Sequence, residues 1–251
     1  MDLTKFYQEK SRLKYNPSHN ISLIRSGVKA FVAFDDRFIE VANKLSEIIS
    51  ALDLPKIKLL DVGIGDGVYE KLLPKASLSN LDVFGLDLSR AQLERSKSIV
   101  KEGKIIDFDK NNIPYKDDYF NIVIVSEILE HLFYPKKVLL ESLRVLKKNG
   151  YLILTYPNSG ALQLRLSVFF RGSSPLLNYT ENKEHIRFLN KKDILKMIGG
   201  RARVKYYSGL GSLLFDKWNF PLKLVMPRAL QVMGNYLLPN LALGNLMLIQ
   251  K

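Results

Sequence analysis

Apolar positions along the chain fall into two alternating rhythms. From Leu23 to Ile49 they recur at three and four residues (Phe31, Phe34, Phe38, Val41, Leu45, Ile48), the spacing of one helix face. LPK at 54–56 breaks that pattern. Short, nearly unbroken apolar runs follow, each closing on polar or glycine residues: IKLLDV, LDVFGLDLS, KIIDFD, YFNIVIVSE and YLILTYPN. Between them lie segments with helical punctuation. Pro74 limits the helix of GVYEKLLPKA. SRAQLERSKSIVKEG predicts a helix capped by Ser89 and closed by Gly103, and PKKVLLESLRVLKKNG one that starts on proline and ends on Asn-Gly. Strand and helix signals alternate from 57 to 156, which predicts a parallel sheet with helices on both faces. ARVKYYS and ALGNLMLIQ predict two further strands that complete the sheet as a hairpin pair.

In such a sheet, ligands bind beyond the carboxyl ends of the strands, where strand order reverses. The residues at those ends are Asp61 to Gly67, Asp87, Asp107 and Phe108, Ser126 to His131, and Tyr156 to Asn158. The glycine-rich turn LLDVGIGDGVYEKL carries Gly63, Gly65 and Gly67, with Val68 where a dinucleotide fingerprint has its third glycine. No Gly-Lys-Ser/Thr follows, so a Walker-type phosphate loop is excluded. Asp61 ends the first strand, where a carboxylate repels a pyrophosphate but suits an ammonium group. Asp87 ends the second, where an acid accepts ribose hydroxyls. A ribose and an ammonium without a phosphate describe S-adenosylmethionine. A bare strand-to-helix turn is the plainer alternative for the glycines.

Composition narrows the setting. At 251 residues and 47% hydrophobic, the chain can bury a large core. It has no cysteine and three histidines, so no disulfide, thiolate chemistry or metal site is expected. No apolar run is long enough for a spanning helix, and the charged N-terminal MDLTKFYQEKSRLKYNP lacks the apolar centre of a signal peptide. A cytoplasmic protein is therefore expected, with peripheral membrane contact in view. The net charge is +13, and from Pro157 onward 14 Lys and Arg stand against 4 Asp and Glu. That surplus suits a phosphate-bearing surface or, more plainly, a solvated face.

LLDVGIGDGVYEKLL, VFGLDLS and IIDFDKNNIPYKDDYFNIVIVSEILEHLFYPKKVLLESLRVLKKNGYLILTYPN resemble the successive motifs of class I S-adenosylmethionine-dependent methyltransferases. The closest likeness is to the type 11 and type 23 group that includes ubiquinone and menaquinone O-methyltransferases. It covers about residues 55 to 160, and EHIRFLNKKDILKMI at 184–198 resembles a later His-x-x-Phe segment of that group. The resemblance implies a Rossmann-like seven-stranded sheet, mostly parallel with the last strand antiparallel. It implies an N-terminal helical cap at 1–54 and a cofactor-binding domain at 55–251, with substrate-covering insertions near 159–190 and 209–242. Gly63, Gly65 and Gly67 would let the backbone approach the methionine part, with Asp61 near its amino group. Asp87 would hold the ribose and Leu88 pack beside the adenine. Asp107 would accept from the adenine amino group, with Phe108 against the ring. Ser126 and Glu127 would line the pocket near the methyl donor. Asp66, where the family more often has a small residue, is a mild departure.

A poorly acidic hydroxyl acceptor needs a general base, for which His131 and His185 are the candidates, whereas a phenol or carboxylate acceptor can do without one. Glu127, at the strand end, is the third catalytic candidate. Glu130 reads as an ordinary first-turn helix acid. The acceptor is expected to be a small molecule, lipid or glycan, methylated on oxygen. The alternative is RNA, met by the basic last third; SEIL after the fourth strand, in place of an Asn-Pro-Pro-Tyr-type motif, argues against a base amine. A non-catalytic S-adenosylmethionine-binding protein is a third reading, which the intact motifs disfavour. The segment 213–238 carries the only Trp among Leu and Met residues, and is expected to wall an apolar acceptor, rest on a membrane or simply pack on the sheet.

Overall fold

The nearly unbroken apolar runs become the inner strands of one sheet. A computed structural model describes residues 36–172, 185–211 and 228–251. The seven strands are β1 (Ile57–Val62), β2 (Leu81–Asp87), β3 (Glu102–Ile105), β4 (Phe120–Ser126), β5 (Leu146–Pro157), β6 (Arg203–Leu210) and β7 (Gly244–Gln250). Their order is β3-β2-β1-β4-β5-β7-β6. β1 to β5 pair in parallel, and β7 runs antiparallel to both β5 and β6. The parallel part is the sheet anticipated from the alternating signals, and the seven-stranded order with an antiparallel last strand is what the resemblance implies.

Alternate side chains of each strand enter opposite cores, as the two-residue strand period requires. Leu60, Val62, Val123, Val125, Leu152 and Leu154 pack with Val138, Leu139 and Leu143 of one helix and Ile194 and Ile198 of another. These helices are Pro135–Val145 and Lys191–Ile198. Ile57, Leu59, Ile122, Ile124 and Ile153 face the other way, against Val41, Leu45, Ile48 and Ile49 of α1 (Asp36–Leu52). Every residue of β4 is buried, as a strand covered on both faces must be.

Several boundaries differ from expectation. The helix expected from Leu23 is described from Asp36 onward, and its earlier part lies outside the described residues. The GVYEKLLPKA helix splits into α2 (Val68–Leu72) and α3 (Lys75–Ser79), because the residue before Pro74 is held extended at ψ 150°. α4 (Arg90–Ser96) is shorter than expected: Gly103 pairs with Gly85 inside β3 instead of closing the helix. Ser89 stands at its N-cap position without the side-chain cap bond; Asp87 Oδ1 accepts the Ser89 amide instead, at 2.7 Å. The third strand ends at Ile105, so only Ile105 and Lys104 of KIIDFD are in it. α5 (Pro135–Val145) stops before Lys147, and Leu146 already pairs with Phe120 at the start of β5. Among the described residues the other helices are α6 (Leu162–Arg171), α7 (Lys191–Ile198) and α8 (Arg228–Leu237), with 3₁₀ turns at Leu129–His131 and Pro239–Leu241. Residues 173–184 of the first expected insertion and 212–227 of the second lie outside the described residues.

Candidate active site

Strand order reverses between β1 and β4, and the residues singled out in the sequence converge at the carboxyl ends of β1, β2 and β4. The loop between β1 and α2 is built from left-handed glycines, with φ of 83° at Gly63, 52° at Gly65 and 65° at Gly67. Side chains other than glycine seldom adopt that region. A Cβ on Gly63 would also lie 2.1 Å from Ile128 Cδ1, so the backbone there packs directly on the residue after the β4 loop. The amides of Gly63 and Ile64 both donate to the Leu86 carbonyl, at 2.7 and 3.0 Å, which ties the loop to the end of β2.

Asp87 completes that tie. Its Oδ2 accepts the Gly65 amide at 2.9 Å and its Oδ1 the Ser89 amide. A carboxylate has about four acceptor positions, so these bonds leave acceptor capacity for a ligand hydroxyl. Burial raises the Asp87 pKa, and the backbone amides of Ser89, Gly65 and Leu88 oppose that rise. Asp61 is 1% exposed, and its Oδ2 accepts no hydrogen bond from the described residues. A buried acceptor without a donor is costly unless a donor arrives, which is the chemistry a ligand ammonium supplies. Leu88 is half-buried beside this carboxylate row. Asp107 opens the turn after β3, where its Oδ1 accepts the Asp109 amide and its Oδ2 pairs with Lys110 at 2.9 Å. Phe108 is buried within the core cluster.

The end of β4 brings in groups the sequence did not single out. Ser126 Oγ shares hydrogen bonds with Tyr69 and with Thr155. Glu127 takes a left-handed conformation at φ 53°, accepts from Thr155 Oγ1 at 3.0 Å, and pairs with Arg37 of α1 at 3.2 Å. Arg37, Tyr69 and Thr155 are ordinary residues of a helix or strand in sequence, and only the fold brings them here. Glu130 corrects an expectation. It is not a solvated helix acid but 1% exposed, in a 3₁₀ turn, with neither carboxyl oxygen receiving a donor from the described residues. Burial and the neighbouring Glu127 carboxylate hold its pKa well above the usual range.

His131 and His185, far apart in sequence, meet edge to face with ring centres 4.8 Å apart. The Glu130 carbonyl accepts the amides of Ile186 and Arg187, at 2.9 and 3.0 Å, and so docks the second histidine's segment on the first. Glu130, His131 and His185 offer ligand atoms within 4.8 Å of one another. Sequence separation concealed this group, which has the donor types of a divalent-cation site. Two ligands of one zinc-like ion stand at most about 4 Å apart, so the three would have to tighten to hold one.

Residues 60–154 match the family model described as a methyltransferase domain. The chain is 28% identical over 164 residues to the mitochondrial ubiquinone biosynthesis O-methyltransferase of Candida albicans, covering 62% of this chain and 46% of that protein. It is 33% identical over 103 residues to the demethylmenaquinone methyltransferase of Thermotoga maritima, covering 41% and 44%. The chain thus spans about half the length of these relatives. Among solved structures it is similar to magnesium protoporphyrin IX methyltransferase from Synechocystis with bound SAH, at a TM-score of 0.56 and 14% identity over 86% of this chain and 83% of that one. A SAM-dependent methyltransferase from Archaeoglobus fulgidus gives 0.54 and 16%, over 85% and 94%. At these identities the structural likeness speaks to the fold alone.

Proposed function

With a class I methyltransferase domain at residues 60–154 as the premise, we propose that this chain binds S-adenosylmethionine and transfers its methyl group to an oxygen of a small apolar acceptor. The observation that carries the reading is the row of carboxylates around a left-handed glycine loop: Asp61 buried with an acceptor atom lacking a donor, and Asp87 with acceptor capacity to spare. That row fits an ammonium and a ribose and opposes a pyrophosphate. S-adenosylmethionine, when bound, supplies a methyl group already activated by its sulfonium. The work left to the chain is to hold, orient and deprotonate.

In this reading Gly63, Gly65 and Gly67 admit the methionine part, Asp61 receives its ammonium, Asp87 its ribose, and Leu88, Asp107 and Phe108 flank the adenine. Ser126 and Glu127 lie beside the methyl donor. Either histidine of the His131–His185 pair is suited to take a hydroxyl proton, because a neutral imidazole accepts near pH 7. Glu127 is the less suited base, since its carboxylate is already engaged by Arg37 and Thr155.

Two supports favour an apolar acceptor. The relatives named above are, by their names, a ubiquinone biosynthesis O-methyltransferase and a demethylmenaquinone methyltransferase. At the same end of the sheet, α6 and α8 leave Val168, Phe169, Phe170, Met233, Tyr236 and Leu237 exposed. Asn158, just past β5, binds the carbonyls of Asn240 and Ala242, which draws the start of α6 and the end of α8 to one edge. With the basic surplus of the last third, this edge suits contact with an anionic membrane surface. No described helix is long and apolar enough to cross a membrane.

The test is transfer of labelled methyl from S-adenosylmethionine to a panel of phenolic and quinol lipids, water-soluble phenols, glycans and total RNA. Label on the hydroxyl of an apolar phenol supports the proposal. Label on RNA alone would move the acceptor to nucleic acid.

A further inference from the structure

Two buried carboxyls flank the glycine loop, one before it and one after it. Asp61, next to last in β1, is 1% exposed, and Glu70 in α2 is 0% exposed. Neither Glu70 oxygen nor Asp61 Oδ2 accepts a hydrogen bond from a described donor. Each carboxyl lies close enough to act on the ionisation of the other. Two ionised carboxyls side by side in a dry site without a donor repel, and a proton held between them relieves that repulsion.

The surroundings do not relieve that repulsion. From β2, Asp87 adds negative charge on Asp61. From α2, the Lys71 charge acts on Glu70, but its Nζ is turned to the carbonyls of Asp66 and Arg95. Tyr69, on the same helix, is bound to Ser126. Arg37 of α1 reaches toward Tyr69 but pairs with Glu127 beyond it. Asp66 in the loop pairs with Arg95 at 3.5 Å. Among the described residues no cation bonds either carboxyl of the pair. Burial and the Glu70 charge keep Asp61 well above the usual carboxylate range, and burial pushes Glu70 up to about 7.

We infer that Asp61 and Glu70 form a proton-linked receptor for the ammonium of the cofactor: the arriving cation replaces the shared proton, which leaves to solvent, and both carboxyls become ionised. Glu70 is then a positioning residue, acting on the ligand through Asp61. The inference rests on S-adenosylmethionine being the ligand. It explains why a second acid stands in a helix position that faces the protein interior. It also makes cofactor affinity rise with pH while the pair still holds its proton, because binding expels that proton.

The test is calorimetric titration of the full chain with S-adenosylmethionine between about pH 5.5 and 7.0, below the ordinary α-amino range, in buffers of different ionisation enthalpy. The wild type should release close to one proton and bind roughly tenfold more tightly per pH unit where release is complete. Glu70→Gln keeps the shape and can donate to Asp61, so it should release none and bind with a flat pH profile. 5′-Methylthioadenosine, which lacks the amino-acid part, should bind the wild type without release. S-adenosylmethionine binding to the wild type without proton release would overturn the inference while leaving the cofactor reading intact. No S-adenosylmethionine binding at any pH would overturn both.

Discussion

Asp87 shows how one side chain that ties the loop together can also serve the proposed binding. Its carboxylate holds the glycine loop and the start of α4 by two backbone amides and keeps acceptor capacity for a ligand. Asp87→Asn retains one carbonyl oxygen but loses the charge, and should weaken S-adenosylmethionine binding by about 1–3 kcal/mol in titration calorimetry. An unchanged affinity would remove Asp87 from the site. Asp61 and Asp87 were legible in the sequence because each interrupts an apolar run where a strand must end. Glu70 was not, because a lone acid in a helical segment reads as solvent-facing until the helix is docked. Glu130 misled for the same reason: first-turn acids are usually exposed, and this one is buried against Glu127.

Strands were more legible than helix ends. A strand buried on both faces declares itself by composition, whereas a helix stops where its caps and its partners let it. α7 has the strongest local signal, a reciprocal capping box in which Asn190 Oδ1 accepts from Lys192 and Asp193 and Asp193 accepts the Asn190 amide. Removing the cap by Asn190→Ala should lower stability by about 0.5–2 kcal/mol in urea unfolding. Cofactor affinity should stay within error, since α7 packs on the sheet face and away from the loop; a large drop in affinity would tie α7 to the site. By contrast, α5 was expected to run to Asn149 and Gly150, but pairing of Leu146 with Phe120 claims that stretch for β5. Local propensity had no access to that partner.

At the scale of the molecule, the seven-stranded topology gathers residues from 37 to 185 at one end of the sheet. The meeting of His131 with His185 is a product of topology and could not be read from spacing. The apolar edge formed by α6 and α8 lies at that same end. Phe169 is 79% exposed, more than any other large apolar side chain described. If this edge meets a membrane, the chain should co-sediment with vesicles containing anionic phospholipid, less so at high salt, and Phe169→Ser with Met233→Ser should weaken the binding. Equal sedimentation with neutral vesicles and with the double variant would exclude this edge as the contact.

The central claim is that the carboxylate-lined glycine loop receives S-adenosylmethionine. Its most direct test is calorimetric titration of the purified chain with that molecule and, separately, with NAD. Saturable binding of S-adenosylmethionine, with none of NAD, is the expected result. Binding of NAD alone would contradict the claim, because it would mean that a pyrophosphate is accepted beside Asp61.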